Sequence, residues 1–314
     1  MVGCRRMTAA PPRSSVACSG RVKRWSSGNL FGALALMVTS AGCGVASNVG
    51  AFAITHPLRV PLIGGPSEPH ADVIVTTDDG LRLEGWLFLP PLAPRGLVVL
   101  VHGKDINRGH FSGHAAGFVT RGYAVLAYDQ RAHGSSEGSI ITYGPREVAD
   151  LKRALDLVGI TPVYVIGESL GAAVSLQAAA RDGRIAGVVA AASFSDLSTV
   201  ISEHTPFFMT EAVTAEARRR AEAQWGFAID SVSPARDAAR IQVPTLLLHG
   251  TADTYIPPDH SRRIFAALGG PKELVWLDGV GHVDVLLHDQ AWEVIIRWFE
   301  TVAAARASRA PISP

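Results

Sequence analysis

Short apolar runs rich in β-branched residues recur along the chain, at 96–101, 123–128, 163–166, 185–192, 243–250 and 273–277. Runs of this length without polar alternation predict strands covered on both faces. Residues 73–77 and 81–89 lie on either side of Asp78-Asp79-Gly80, and 81–89 alternates. That pattern predicts an antiparallel hairpin. Between the runs, 110–121, 145–158, 170–181, 259–268 and 291–304 read as helices, with Pro145 suited to a first turn. Strands alternating with helices predict an α/β fold: a mostly parallel sheet with helices on both faces. Ligands of such sheets bind beyond the carboxyl ends of the strands.

Two stretches break the alternation. Residues 45–70, carrying Pro57, Pro61, Gly64, Gly65, Pro66 and Pro69, read as an irregular linker. Residues 195–240 read as a small helical cap over the sheet edge, in which Phe207, Phe208 and Trp225 are candidates to line an apolar substrate pocket. The plainer alternative is that these aromatics only dock the cap. The expected organisation is a leader over 1–43, a linker over 44–70, a domain over 71–306 and a tail over 307–314.

Composition changes the picture only at the N-terminus. The 314 residues carry a net charge of +1, which leaves no nucleic-acid footprint. Yet Arg5, Arg6, Arg13, Arg21, Lys23 and Arg24 all precede the first acidic residue, Glu68, and the three cysteines are Cys4, Cys18 and Cys43. A domain without cysteine has no disulfide and no thiol nucleophile. A basic segment, an apolar run over 29–38 and Ala41-Gly42-Cys43 resemble a bacterial lipoprotein signal, with Cys43 as the lipidated residue. Three readings compete with it: an uncleaved anchor over the uncharged stretch 30–54, an ordinary secretory signal, and a buried core helix. Export or membrane tethering through the N-terminus is the expectation.

The chemistry centres on Gly167-Glu168-Ser169-Leu170-Gly171, which joins an apolar run to an alanine-rich helical pattern. A strand that turns sharply into a helix holds its central serine in strained backbone angles, and flanking glycines avoid the clash that side chains would cause. After Ser169 come His249-Gly-Thr-Ala-Asp253 and Gly281-His282, so an aspartate and a histidine each follow a late strand. Together with His102-Gly103 and the 129–135 loop, these motifs resemble the α/β-hydrolase superfamily of serine hydrolases over about residues 72–305. Within it, the chain is similar to small-capped esterase, lipase and serine-aminopeptidase members. The resemblance implies Ser169 as nucleophile, His282 as base and Asp253 as the acid that orients it. It also implies an oxyanion hole made by the backbone amides of Leu170 and Lys104. A lysine side chain at that place is a departure from the family pattern and would bias the site toward anionic substrates. Asp259, Asp278 and Asp284 are rival acids. His102 and His249 are expected to brace loops, His133 sits in the turn after Arg131, and Glu168 is expected to pack the elbow.

The implied partner is a small-molecule acyl substrate, cleaved through an acyl-enzyme. Esters lead, with thioesterase, amidase, peptidase and perhydrolase chemistry open to the same machinery. Serine at the elbow argues against the aspartate-based dehalogenases and epoxide hydrolases of this fold. A non-catalytic envelope protein is the competing class. No metal, nucleotide or flavin motif stands out, so no cofactor is expected.

Overall fold

The computed structural model describes residues 43–207 and 209–308. Eight strands form one sheet in the order β1-β2-β4-β3-β5-β6-β7-β8. They are β1 (Ala71–Thr76), β2 (Arg82–Phe88), β3 (Leu97–Val101), β4 (Ala124–Tyr128), β5 (Val163–Glu168), β6 (Ile185–Ala191), β7 (Thr245–Gly250) and β8 (Lys272–Leu277). β2 pairs antiparallel with both β1 and β4, and every other pairing is parallel. The mostly parallel sheet is the one the alternation predicts, and its arrangement is the α/β-hydrolase fold that the motif resemblance implied.

The unbroken apolar runs follow from a core on both faces. Leu97, Val99 and Val101 of β3 join Val163 and Val165 of β5 under the helices Pro145–Val158 and Leu170–Ala179. Val98, Leu100, Tyr164 and Ile166 face the other way, against Phe118, Trp298 and Phe299. There Phe299 packs edge-on to Phe118, Tyr123 and Tyr164 at 5.1, 4.8 and 4.8 Å. Each such fully buried aromatic contributes about 2–3 kcal/mol of transfer free energy.

Two expectations are corrected here. The 110–121 helix is shorter, a 3₁₀ turn at Ser112–His114 leading into Ala115–Val119. The expected linker carries a helix, Cys43–Thr55, packed on the cap helix Glu211–Trp225. Its glycine explains the fit, since a Cβ on Gly50 would lie 3.1 Å from Ala217 Cβ. Residues 1–42, the leader apart from Cys43, lie outside the described residues. Among the described residues, no helix is long and apolar enough to cross a membrane.

The cap comprises Leu197–His204, Glu211–Trp225, a 3₁₀ turn at Ile229–Ser231 and Pro234–Ala238. Its core is shared. Leu197, Ala221, Phe227 and Ile229 of the cap cluster with Ala51, with Ala173 of the helix after Ser169, and with Ile256 beyond β7.

Candidate active site

Ser169 sits between β5 and the helix Leu170–Ala179, at φ 51° and ψ −111°. A non-glycine residue in the left-handed region is strained and persists only where its surroundings dictate it. They do so here by close approach. A Cβ on Gly171 would lie 2.0 Å from the Val101 carbonyl oxygen, and one on Gly167 would lie 2.3 Å from that of Gly171. The Ser169 amide donates to the Ala191 carbonyl at 2.8 Å, which ties the turn to β6.

The late loops bring the other predicted residues to this turn. His282 opens the 3₁₀ segment His282–Leu287, and its Nε2 lies 3.0 Å from Ser169 Oγ. Its Nδ1 lies 2.7 Å from Asp253 Oδ2. The other oxygen, Oδ1, accepts from the amides of Tyr255 and Ile256 at 2.9 and 2.8 Å. Two of the rival acids are engaged elsewhere. Asp278 accepts from Thr251 Oγ1, and Asp259 pairs with Arg262.

A further histidine reaches the same carboxylate. His249 is fully buried, and its Nε2 lies 3.2 Å from Asp253 Oδ2 and 2.8 Å from the Ile256 carbonyl. Both neighbours only accept, so Nε2 carries a proton, and Nδ1 lies 2.7 Å from Ser261 Oγ. Asp253 therefore receives donors on both oxygens. Burial pushes its carboxyl up. The hydrogen bonds from His249 and His282 and the Ile256 amide outweigh that, and hold it well below the usual carboxylate range.

A depressed carboxylate pKa carries a sign for stability. The stabilisation is complete above the unfolded value of about 4 and drains as pH falls toward the folded one. The gap in Tm between wild type and Asp253→Asn is expected to narrow on acidification from about pH 7 to about pH 3. Melting curves across that range check this, and a widening gap would contradict it.

Lys104 and Leu170 bracket the serine from two sides. Leu170 begins the buried helix, and the 102–104 turn passes so near that a Cβ on Gly103 would lie 3.5 Å from Ser169 Cβ. Among the described residues, neither the Leu170 nor the Lys104 amide donates to a protein acceptor. The turn is held by buried His102, whose Nε2 accepts from the Gln130 amide at 2.9 Å and whose Nδ1 reaches the Gly103 carbonyl at 2.7 Å. The Lys104 ammonium is directed to the Ala53 carbonyl at 3.4 Å. Burial lowers its pKa, but Tyr143, Asp105 and Tyr255 around it outweigh that and raise it. Glu168, beside the nucleophile, is buried with Oε2 3.0 Å from His110 Nε2.

Two of the three candidate pocket aromatics are placed by the structure. Phe207 is 99% exposed, so it lines no enclosed surface. Trp225 packs edge-on to His56 at 5.4 Å against the cap core. Phe208 lies outside the described residues. Among the described residues, an aromatic that does reach the site is Tyr255, with its ring 5.0 Å from that of His282 and 4.4 Å from His204 of the cap. No local pattern in the sequence marks Tyr255; its place follows from the turn that Asp253 closes. Cys43 begins the first helix. A groove of about 670 Å³ between Pro145–Val158 and the end of Leu170–Ala179 includes none of Ser169, Asp253 and His282.

The sequence matches the profile of the alpha/beta hydrolase family over residues 98–298. Rv2307c of Mycobacterium tuberculosis, an uncharacterized protein, is 30% identical over 225 residues, covering 69% of this chain and 74% of the relative. YfhR of Escherichia coli, also uncharacterized, is 28% identical over 240 residues, covering 71% and 77%. Among solved structures, the esterase Pf2001 of Pyrococcus furiosus superposes with a TM-score of 0.64 at 23% identity, over 78% of this chain and 98% of the esterase. At that identity the likeness is one of fold.

Proposed function

The chain belongs to the alpha/beta hydrolase family, and on that premise we propose that it is a serine hydrolase cleaving carboxylic esters through an acyl-enzyme. The observation that carries the reading is the continuous line from Ser169 Oγ through His282 to Asp253, at 3.0 and 2.7 Å. Ser169 Oγ attacks the ester carbonyl as its proton passes to His282 Nε2. Asp253 stabilises the imidazolium and fixes its tautomer. The unpaired amides of Leu170 and Lys104 receive the oxyanion, for which each aligned donor supplies about 3 kcal/mol. The intermediate then collapses. The C–O bond breaks, and the alkoxide leaves with the proton from His282. Water attacks the acyl carbon, giving its proton to His282, and the carboxylic acid departs as Ser169 regains its hydrogen.

The leader supports a place for this chemistry at the cell envelope, tethered or exported through the N-terminus, with Cys43 as the lipid-bearing residue. Metabolic labelling with a lipid analogue, absent from Cys43→Ala, checks that assignment.

The test of activity is fluorophosphonate labelling of the folded chain, followed by assays on acyl esters, thioesters and peptide amides. Labelling at Ser169 and turnover of short p-nitrophenyl esters are expected. No label on folded protein and no ester turnover would refute the reading, and faster thioester or amide cleavage would reassign the substrate class.

A further inference from the structure

The segment before β1 runs alongside the loops that frame the active site. It lies outside the region shared with the family profile, 98–298. Five contacts follow one another in register. Lys104 Nζ donates to the Ala53 carbonyl at 3.4 Å, and the Leu58 amide donates to Asp105 Oδ1 at 2.6 Å. Asn107 Nδ2 donates to the Val60 and Pro61 carbonyls, both at 3.2 Å. Leu62 packs so closely on Gly109 that a Cβ there would lie 3.1 Å from Leu62 Cδ1. Residues 53–62 thus bind 104–109 in ascending order.

The same segment grips a second loop. Arg59 Nη1 donates to the Gly134 and Ser136 carbonyls at 3.0 and 2.5 Å, and Nη2 donates to Gly138 at 2.8 Å. Two more bonds seat the helix end above it: Tyr143 Oη to the Ile54 carbonyl and the Ile141 amide to Thr55, each 2.8 Å. Asp105, one residue past the candidate oxyanion donor, has a φ of 63°, a conformation that L side chains rarely adopt. A turn of that kind needs external bonds to hold it, and the Leu58 amide is one.

We propose that residues 53–62 form a strap that positions the Lys104 amide in the oxyanion hole, with Asp105, Asn107 and Arg59 as positioning residues acting through that amide. The inference rests on the reading of Lys104 as a donor. It makes the segment between leader and domain a working part of the active site. A displaced donor costs transition-state binding and leaves ground-state binding nearly untouched.

The test uses the full chain with Asp105→Ala, Asp105→Asn and Arg59→Met, with kcat, KM and Tm on p-nitrophenyl butyrate and the Ki of a boronic acid. The boronate adduct of Ser169 places an anionic oxygen in the hole, so it reports the donor directly. Asp105→Ala is expected to lower kcat about 10- to 100-fold with KM within about threefold, and to weaken the boronate in parallel. Asp105→Asn keeps an oxygen for the Leu58 amide and is expected to recover most of the loss. Arg59→Met leaves the 104–109 loop unchanged and is expected to reproduce the kcat loss at smaller size, so it decides the matter if Asp105→Ala fails to fold. Unchanged kcat and Ki in Arg59→Met and a folded Asp105→Ala overturn the strap, as does loss confined to Tm. In both cases an active wild type leaves the hydrolase reading standing. An unlabelled, inactive wild type overturns both.

Discussion

Ser169→Ala is expected to lower kcat on a short p-nitrophenyl ester by about four to six orders of magnitude, with little change in KM. The expectation follows from the line of hydrogen bonds rather than from the serine alone. With Ser169 Oγ 3.0 Å from His282 Nε2, nucleophile and base form one proton-transfer unit. Removing either member removes the unit, so His282→Ala should fall to the same floor and the double variant no lower. Asp253→Asn is expected to cost about 10⁴-fold. The carboxylate is surrounded by donors, including His282 Nδ1 at 2.7 Å, and an amide NH₂ in its place would oppose the required imidazole tautomer. Asp278→Asn serves as control, because its carboxylate is engaged with Thr251 and should change kcat only a few-fold. Steady-state kinetics on variants with wild-type circular dichroism decide the question. More than about 1% residual activity in Ser169→Ala would place the nucleophile elsewhere.

Gly171→Ala should be the most damaging single methyl addition to the fold. The new Cβ would lie 2.0 Å from the Val101 carbonyl oxygen and 2.6 Å from that of His102. Both atoms are backbone, and β3 is buried along its length, so no flexible side chain can yield. Relief requires the helix Leu170–Ala179 to withdraw from the sheet, carrying Ser169 with it. A cost of about 3 kcal/mol or more is expected, which lowers Tm by about 6–12 °C in a domain of this size. Gly183→Ala gives the contrast: a Cβ there meets nothing within 4 Å, and its Tm should stay near wild type. Thermal melts of the pair check this. Equal Tm values for the two variants would mean that the elbow packs more loosely than these distances require.

The sheet was legible because strands covered on both faces leave a local signature. Leu97 to Val101 is apolar without interruption since its side chains alternate between two cores. The order of Ser169, Asp253 and His282 was equally readable, because each follows a strand at the same sheet edge. What escaped the sequence depends on contacts between distant residues. Gly44, Ser47, Asn48 and Gly50 are poor helix formers, so the first helix forms on the strength of its packing against Ala217 and its neighbours. The role of His249 emerged only once the Asp253 loop folded back over it. Phe207 is the opposite case: its aromatic character suggests a wall of an enclosed pocket, yet it is 99% exposed.

The shared core of the cap bears on how such proteins are recombined. Leu197, Phe227 and Ile229 bury themselves against Ala173, four residues after the nucleophile, and against Ile256, three after Asp253. A chimera that exchanges 195–240 for the insert of another hydrolase would therefore leave a hole beside both the elbow and the acid loop. Breakpoints chosen at the ends of the insert would not respect the real seam. A transplant that works would carry matching side chains at positions 51, 173 and 256, so substrate range in this scaffold is inherited by a set of positions scattered along the chain.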